Sequence, residues 1–441
     1  MKRWPIILLL SLAAVVVLSP GIVGHLAERN LDENLSWLEE ENEELVITSM
    51  AFDRGWFTSE GQHRITLKNG ALFGSLNLDG NGDSLPSLII DTHLDHGLVP
   101  LSSLGREQGS LKPGLGSSVS TMKMDNGDGT LTDLPGTIYS RIGLTGNSSF
   151  HFVMAAGSQS GADSLMTWSG ANITVLTNPG RRTFQISGDI EPTTMASYGV
   201  TTDVGPVTFD VHQDRSKYEY GIGALSLAIE SLTVDSPGQP LSGFGEIILD
   251  AKSVLDGERV NGHTSISLTR VLVPGTGPVN VDITFSANGI DAHLLETLIR
   301  ELRDAPQNSM GGATLPGIPP QALSDMQNIL GKGVDIHFEQ FDISMPQGDL
   351  TTTININVPE TDAGQPFSWP GLLLATTAAV DLSLSVSLFE LIQSVNPEAT
   401  TLLALGMLKR NGDHYEMTAR YEKGLLTING APMAIPLSLP Q

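Results

Sequence analysis

From residue 45 onward the chain alternates apolar and polar residues with a period of two. LVITSMAF, GQHRITLKN, SLNLDG, RTFQISGDI, PVTFDVH, LSLAIESLTVD, GEIILDAK, HTSISLTRVLV, VNVDITFSANG, VDIHFEQFDIS, TTTININV and AVDLSLSVSL all carry this pattern. Each run predicts a half-buried strand, because successive side chains of a strand point to opposite faces. DGNGDS, DNGDGT, TNPGRR, DSPGQP and MPQGDL separate the runs and supply the Gly, Asn and Pro that tight reversals need. Two alternating runs joined by a polar, Gly-containing turn recur at 45–67, 168–190, 223–252 and 334–358. The pattern predicts a mainly β chain with α islands, an extended, curved antiparallel sheet of repeated hairpins. No linker divides 45–441. The period is irregular, which sets the chain apart from a strict solenoid.

Helical spacing appears in islands near 289–305, 319–333 and 388–410. Leu294, Leu295, Leu298 and Leu302 form one stripe in the first. The second opens on Pro and closes on Gly, the start and stop signals of a helix. The third breaks around Asn396–Pro397. These stripes are expected to cover the sheet, or to line a lipid-facing groove.

The N-terminus has a different character. Lys2 and Arg3 precede an almost purely apolar run from Ile6 to Leu18, and Ile22, Val23 and Gly24 extend it to the ~20 residues that cross a bilayer. A basic start before an apolar core directs export with the basic end left in the cytoplasm. Pro20 after Ser19, with Val17–Leu18 before it, makes a poor cleavage site, so residues 1–24 read as a retained, single-pass anchor. Residues 25–44 carry leucines at helical spacing opposite a face rich in carboxylates, an amphipathic acidic helix. The remainder, 45–441, reads as one β-rich exported domain.

Charge narrows the partners. There are 24 basic and 49 acidic residues, a net charge of −25, and nucleic acid or an anionic lipid surface as the main partner requires the opposite balance. With no cysteine in the chain, disulfide and thiolate chemistry are absent.

Motifs for catalysis do not emerge. GSQSG (157–161) resembles a nucleophile elbow but has Gln159 at the nucleophile position. DGNGDSLPSLII (79–90) begins like a calcium loop with Asp79, Asn81 and Asp83, yet Ser84 stands where Gly is needed and Ile90 where Glu is. DTHLDHGLVP (91–100) puts Asp91, His93 and Asp95 on one face of a strand with His96 on the other, three groups that could hold a divalent ion. The blander expectation is a solvated strand face ending in a turn at His96–Gly97. No cofactor site is expected.

MAFDRGWFTSEGQHRITL (50–67) concentrates aromatic residues in a chain that has few. Phe52, Arg54, Gly55, Trp56, Phe57, Thr58 and Ser59, following an anchor and an acidic helix, resemble the opening motif of the YdgA-like family of bacterial envelope proteins. LDHGLVP, with His96 and Gly97, is similar to a His-Gly-Pro element of that family. YEMTARYEKGLLTINGAPMAIPL (415–437), with Asn429–Gly430 at a turn, is similar to its closing hairpin. The resemblance implies a single-pass protein of the bacterial inner membrane with its bulk in the periplasm, and no catalytic residue. Independently of it, Tyr415, Met417, Ala419 and Tyr421 alternate on one strand face, and Asn-Gly favours a two-residue reversal. Phe52, Arg54, Gly55, Trp56, Phe57, Ser59, His96, Gly97, Asn429 and Gly430 are thus expected to be structural. Gly55 is expected to make a bulge, Trp56 to fill the core, and Arg54 to pair with a carboxylate, one on the 25–44 helix among the candidates.

The expected role is non-enzymatic: a membrane-tethered protein that binds or scaffolds through its sheet, with the inner membrane, lipid or envelope proteins as partners. The alternative is lipid or hydrophobic-ligand binding and transfer in the envelope. A metal-dependent hydrolase built on Asp91, His93 and Asp95 is the third reading.

Overall fold

The computed structural model describes residues 45–67, 87–97, 114–125, 130–160, 164–178, 183–218, 220–273, 277–304, 320–361 and 368–433. The expected anchor (1–24) and acidic helix (25–44), the strand SLNLDG and the loop ligands Asp79, Asn81 and Asp83 lie outside these residues. The described chain is mainly antiparallel β with few helices. It divides into two compact units: residues up to Gln159 with Thr167–Glu191, and Ser160–Met166 with Pro192 onward.

The first unit holds β1 (Leu45–Arg54), β2 (Thr58–Leu67), β3 (Ser87–His96), β4 (Gly116–Asp125), β5 (Leu131–Ile142), β6 (Ser148–Ser160), most of β7 (Ser164–Thr177) and β8 (Thr183–Ile190). β1 to β6 form an antiparallel meander in chain order, and β7 pairs β8. The sequence signals for β4, β5 and β6 are weak. Serines at 117, 118, 120, 140, 148 and 149 interrupt the apolar positions there. Neighbouring serines hydrogen-bond across the strands instead, as Ser118 and Ser140 do at 2.5 Å.

The second unit contains β9 (Thr193–Ser197), β10 (Val200–Val204), β11 (Val207–Arg215), β12 (Gly221–Ile229), β13 (Leu232–Asp235), β14 (Ser242–Phe244), β15 (Glu246–Asp256), β16 (Arg259–Val273) and β17 (Gly277–Asp291). Two helices follow, α1 (Ala292–Asp304) and α2 (Pro320–Gly331), then β18 (Val334–Met345) and β19 (Gly348–Val358). Next come α3 (Trp369–Ala375), β20 (Thr377–Ser385), α4 (Val386–Val395), a 3-10 turn (Pro397–Ala399) and α5 (Thr400–Ala404). The chain finishes with β21 (Lys409–Asn411), β22 (His414–Glu422), β23 (Leu425–Ile428) and β24 (Ala431–Met433). The main antiparallel sheet runs β11–β12–β15–β16–β17–β18–β19–β20–β22–β23. The 45–67 and 334–358 hairpins have the expected form. At 223–252 the expectation is corrected: β12 pairs β15, and the chain between them makes the separate β13–β14 pair.

The fully buried apolar cluster of this unit lies under its C-terminal helices. Leu384, Leu388, Phe389, Ala399 and Leu408 pack with Leu350, Leu382, Tyr415 and Met417 among others. Asn396 ends α4 because Pro397 has no N–H for the next helical bond, and its side chain caps the 3-10 turn by accepting from Glu398 N at 3.2 Å. α3 was not expected from periodicity. Its signals are local: Ser368 caps its N-terminus, Pro370 stands in its first turn, and the Thr376 hydroxyl donates to Leu372 O at 2.8 Å.

Candidate functional site

The motif around residue 55 is a hairpin end. Arg54 and Ser59 are the last cross-strand pair of β1 and β2, and Gly55 N donates to Thr58 O at 2.8 Å. Trp56 and Phe57 therefore occupy the tip and are 52% and 43% exposed. This corrects the expectation that Trp56 fills the core: a two-residue reversal projects both rings beyond the last strand pair. Gly55 is not a bulge. A Cβ there would stand 2.7 Å from Thr58 O, so glycine is required by the close approach of the turn. The bulge lies at Met50, between the pairs Ser49–His63 and Ala51–Gln62. It moves Phe52 onto the face of Ile47 and Ser49, where it opposes Gly61. Arg54's expected partner segment, 25–44, is outside the described residues.

The fold brings the first two motifs together. His96 N donates to Phe57 O at 2.9 Å, and Ser59 Oγ lies 3.0 Å from His96 Nε2. Gly97 continues the contact, its N–H donating to Leu115 O at 3.4 Å with φ at 133°. A serine hydroxyl on an imidazole nitrogen is the geometry of a nucleophile and its base. Here Ser59 is 2% exposed and His96 1%, so no substrate carbonyl reaches the hydroxyl. The pair ties the start of β2 to the end of β3. Sequence reasoning missed it because 37 residues separate the partners.

Asp91, His93 and Asp95 share one face of β3, as expected, and their register partners there are Gln62, Glu60 and Thr58. They do not converge on an ion. Asp91 accepts from Gln62 at 2.6 Å and Lys123 at 2.8 Å, and these donors hold its carboxyl below the ordinary range. His93 is 3.6 Å from Glu60 on one side and 3.6 Å from Asp95 on the other. The open hollow over these residues, about 560 Å³, is also lined by Asp53 and Thr121. Among the described residues no group of three or more His, Asp or Glu could hold a metal ion.

Asn429–Gly430 forms the two-residue turn between β23 and β24, with φ of 51° and 80°. Its side chain does more than turn the chain. Nδ2 donates to Gly406 O at 3.1 Å and Met407 O at 3.0 Å, and Oδ1 accepts from Thr418 N at 3.0 Å. Asn429 thereby clamps the end of α5 to β22.

The most extensive chemical feature is one face of the second unit's sheet. Directly paired residues share a face, so the register can be followed across the strands. One row runs Val207, Ile229, Ile247, Leu268, Val281, Ile343, Leu350, Leu384, Tyr415. The next runs Phe209, Leu227, Leu249, Ile266, Ile283, Phe341, Thr352, Leu382, Met417. A third runs Val211, Leu225, Ala251, Thr264, Phe285, Phe338, Ile354, Val380, Ala419, Ile428. Only Thr352 and Thr264 break the apolar sequence. The opposite face carries Thr208, Asp210, Ser226, Asp250, Ser265 and Thr284 at corresponding positions.

Exposure divides this face. Leu384, Thr352 and Ile428, at the end where the C-terminal helices pack, are fully buried. From β11 to β18 every residue of the three rows is half-buried, and none is fully covered. From β11 to β18 the band is six strands wide, roughly 24 Å by strand spacing, and its rows span about 13 Å along the strands. That is on the order of 300 Å² of apolar surface in plan, comparable to the largest patch on an ordinary monomer.

These features define an antiparallel β-protein with an extensive apolar sheet face capped at one end by helices. The family model described as "Bacterial protein of unknown function (DUF945)" matches residues 1–436, and the chain belongs to that family. No curated protein and no solved structure matches it. Among the described residues, no helix is long and apolar enough to cross a membrane.

Proposed function

We propose that this chain is a non-enzymatic, membrane-tethered protein of the bacterial envelope that holds lipid acyl chains against the apolar face of its second unit. The observation that carries the reading is the register: three adjacent apolar rows on one face, half-buried from β11 to β18 with none fully covered. Contiguous apolar patches of a few hundred Å² on a protein surface are often functional. Its occupant is inferred from what the band lacks. A protein interface carries about one hydrogen bond per 100–200 Å², whereas from β11 to β18 these rows offer only the hydroxyl of Thr264. A band about 24 Å across exceeds half the ~30 Å bilayer core, the extent of one leaflet's acyl chains. The apolar run 6–24 behind Lys2 and Arg3, and the YdgA-like likeness of residues 52–59, support the inner membrane as tether and the periplasm as the working side.

The test is lipid content. Full-length protein extracted in mild detergent should carry lipid in native mass spectrometry and in solvent extracts. Ile283→Lys, which sets a charge between Ile266 and Phe341, should lose that lipid while keeping its far-UV β signature. A parent protein that is repeatedly empty, or a variant that keeps its full complement, would overturn the proposal.

A further inference from the structure

The helical corner that covers one end of the apolar face is itself apolar on its outer side. Facing inward, Leu388 and Phe389 are 5% and 2% exposed and pack with Leu382, Tyr415 and Met417. Facing outward, Ile392, Val395, Leu402 and Leu405 are 40%, 82%, 39% and 59% exposed. A helix on a water-facing surface ordinarily turns polar residues outward, and large apolar side chains clustered at a surface mark an interaction site.

We propose that the corner formed by α4, the 3-10 turn and α5 docks on a lipid bilayer and is where acyl chains enter the apolar face. The entry role rests on the lipid reading above; the docking does not. Two observations select a bilayer over a protein. Three polar side chains of the corner bond to its own backbone: Ser394 Oγ donates to Leu391 O and Thr400 Oγ1 to Pro397 O, each at 2.7 Å, and Asn396 caps Glu398 N; Glu390 and Glu398 are its exposed charged groups. Apart from those two carboxylates, the patch of Ile392, Val395, Leu402 and Leu405 presents methyl groups, with few hydrogen-bonding partners to offer a protein. Lys409 and Arg410, both exposed, stand a few residues beyond α5; each donates one hydrogen bond to a backbone carbonyl, Asn429 O and Gly412 O at 3.2 Å, and keeps further N–H groups on the flank that suits lipid headgroups. The inward residues of the same helix, Leu388 and Phe389, pack on the first two apolar rows, so the outward patch and the apolar face adjoin through one helix.

Because the chain has no cysteine, a single label reports one position. Full-length Val395→Cys carrying the dye NBD, reconstituted in phosphatidylcholine vesicles, should emit brighter and bluer light and be quenched by doxyl-labelled lipid. The same dye at Thr353→Cys, exposed on the polar sheet face, should remain water-like. Equal, water-like emission at both positions would overturn the docking. Emission at 395 that is blue-shifted but insensitive to doxyl lipid would also overturn it, in favour of a protein contact such as a second copy. The entry role is read separately. Val395→Asp with Leu405→Asp should slow uptake of a fluorescent fatty acid from vesicles on the order of tenfold. The amount bound when the probe is delivered in detergent should not change. If the parent protein binds no probe by either route, the lipid reading fails while the label still decides the docking.

Discussion

Asn429 offers the sharpest test of how a turn residue governs the helical cap. It sits at φ 51°, a left-handed conformation that costs an ordinary L-residue roughly 1–2 kcal/mol and that Asn and Gly tolerate. Its side chain makes hydrogen bonds to Gly406 O, Met407 O and Thr418 N. A side-chain hydrogen bond contributes about 0.5–1.5 kcal/mol net, so removing this set from a half-buried site costs about 2–4 kcal/mol. Asn429→Gly keeps the backbone conformation and loses only these bonds. Asn429→Ala loses them and adds strain, so it should be worse by about 1 kcal/mol. Denaturant unfolding of the full chain gives the two totals. Hydrogen exchange over 400–411 locates the loss, since Leu405, Met407 and Leu408 amides bond back to Thr401 and Leu402 there. An Asn429→Gly protein as stable as its parent would refute the clamp, and equal losses for Gly and Ala would refute the left-handed turn.

Phe389→Ala should cost about 3–5 kcal/mol, because the ring is 2% exposed and its centroid lies 4.9 Å from that of Tyr415. Trp56→Ala, at a hairpin tip, should change stability by no more than about 0.5 kcal/mol in parallel thermal melts. Two carboxyls should respond to pH with opposite signs. The hydrogen bonds from Lys123 and Gln62 depress Asp91, so its contribution is present above the ordinary aspartate range and is lost as pH falls through the depressed value. Lys123→Met should therefore remove stability at pH 7 and little of it in strong acid. Glu301 is raised by burial and by Asp325 across the α1–α2 contact. Its proton is held more tightly when folded, and the stabilisation grows as pH falls below the raised value. Glu301→Gln, neutral at every pH, should raise the melting temperature at pH 7 and flatten this dependence.

Much of the fold is legible in the chain because it depends on local chemistry. The period of two in TTTININV and AVDLSLSVSL, the break at Asn396–Pro397 and the Asn429–Gly430 turn each act within a few residues of themselves. The limits of α2 are legible for the same reason, with Pro at its start and Gly at its end. What the sequence hides is which strand faces which. Val207 and Tyr415 stand at opposite ends of one row, and only the full set of pairings joins them. The contact between Ser59 and His96 is hidden in the same way. Trp56 misled for another reason: a large aromatic beside glycine reads as core, yet a two-residue reversal puts both central side chains at the tip whatever their hydrophobicity.

The bulges argue that the apolar face is specified rather than incidental. In VDIHFEQFDIS the apolar residues fall at 334, 336 and 338 and then at 341, 343 and 345, a slip of one position. On an unbroken strand the second set would point to the polar face. The register shifts at Glu339–Gln340 instead, so Phe338 opposes Phe285 while Phe341 opposes Ile283, two residues of the same face. β16 repeats the device. Its apolar phase slips between Leu268 and Val271, where the register also shifts and Arg270 takes φ 49°. Leu268 still opposes Val281 and Val271 still opposes Val279. Each bulge gives up ladder pairing at its extra residue, and Arg270 bears left-handed strain as well. Two strands meet such costs in different ways and end with the same apolar surface intact. A face that only backed a solvated sheet would gain nothing from this; a face that must stay continuous for an apolar occupant would.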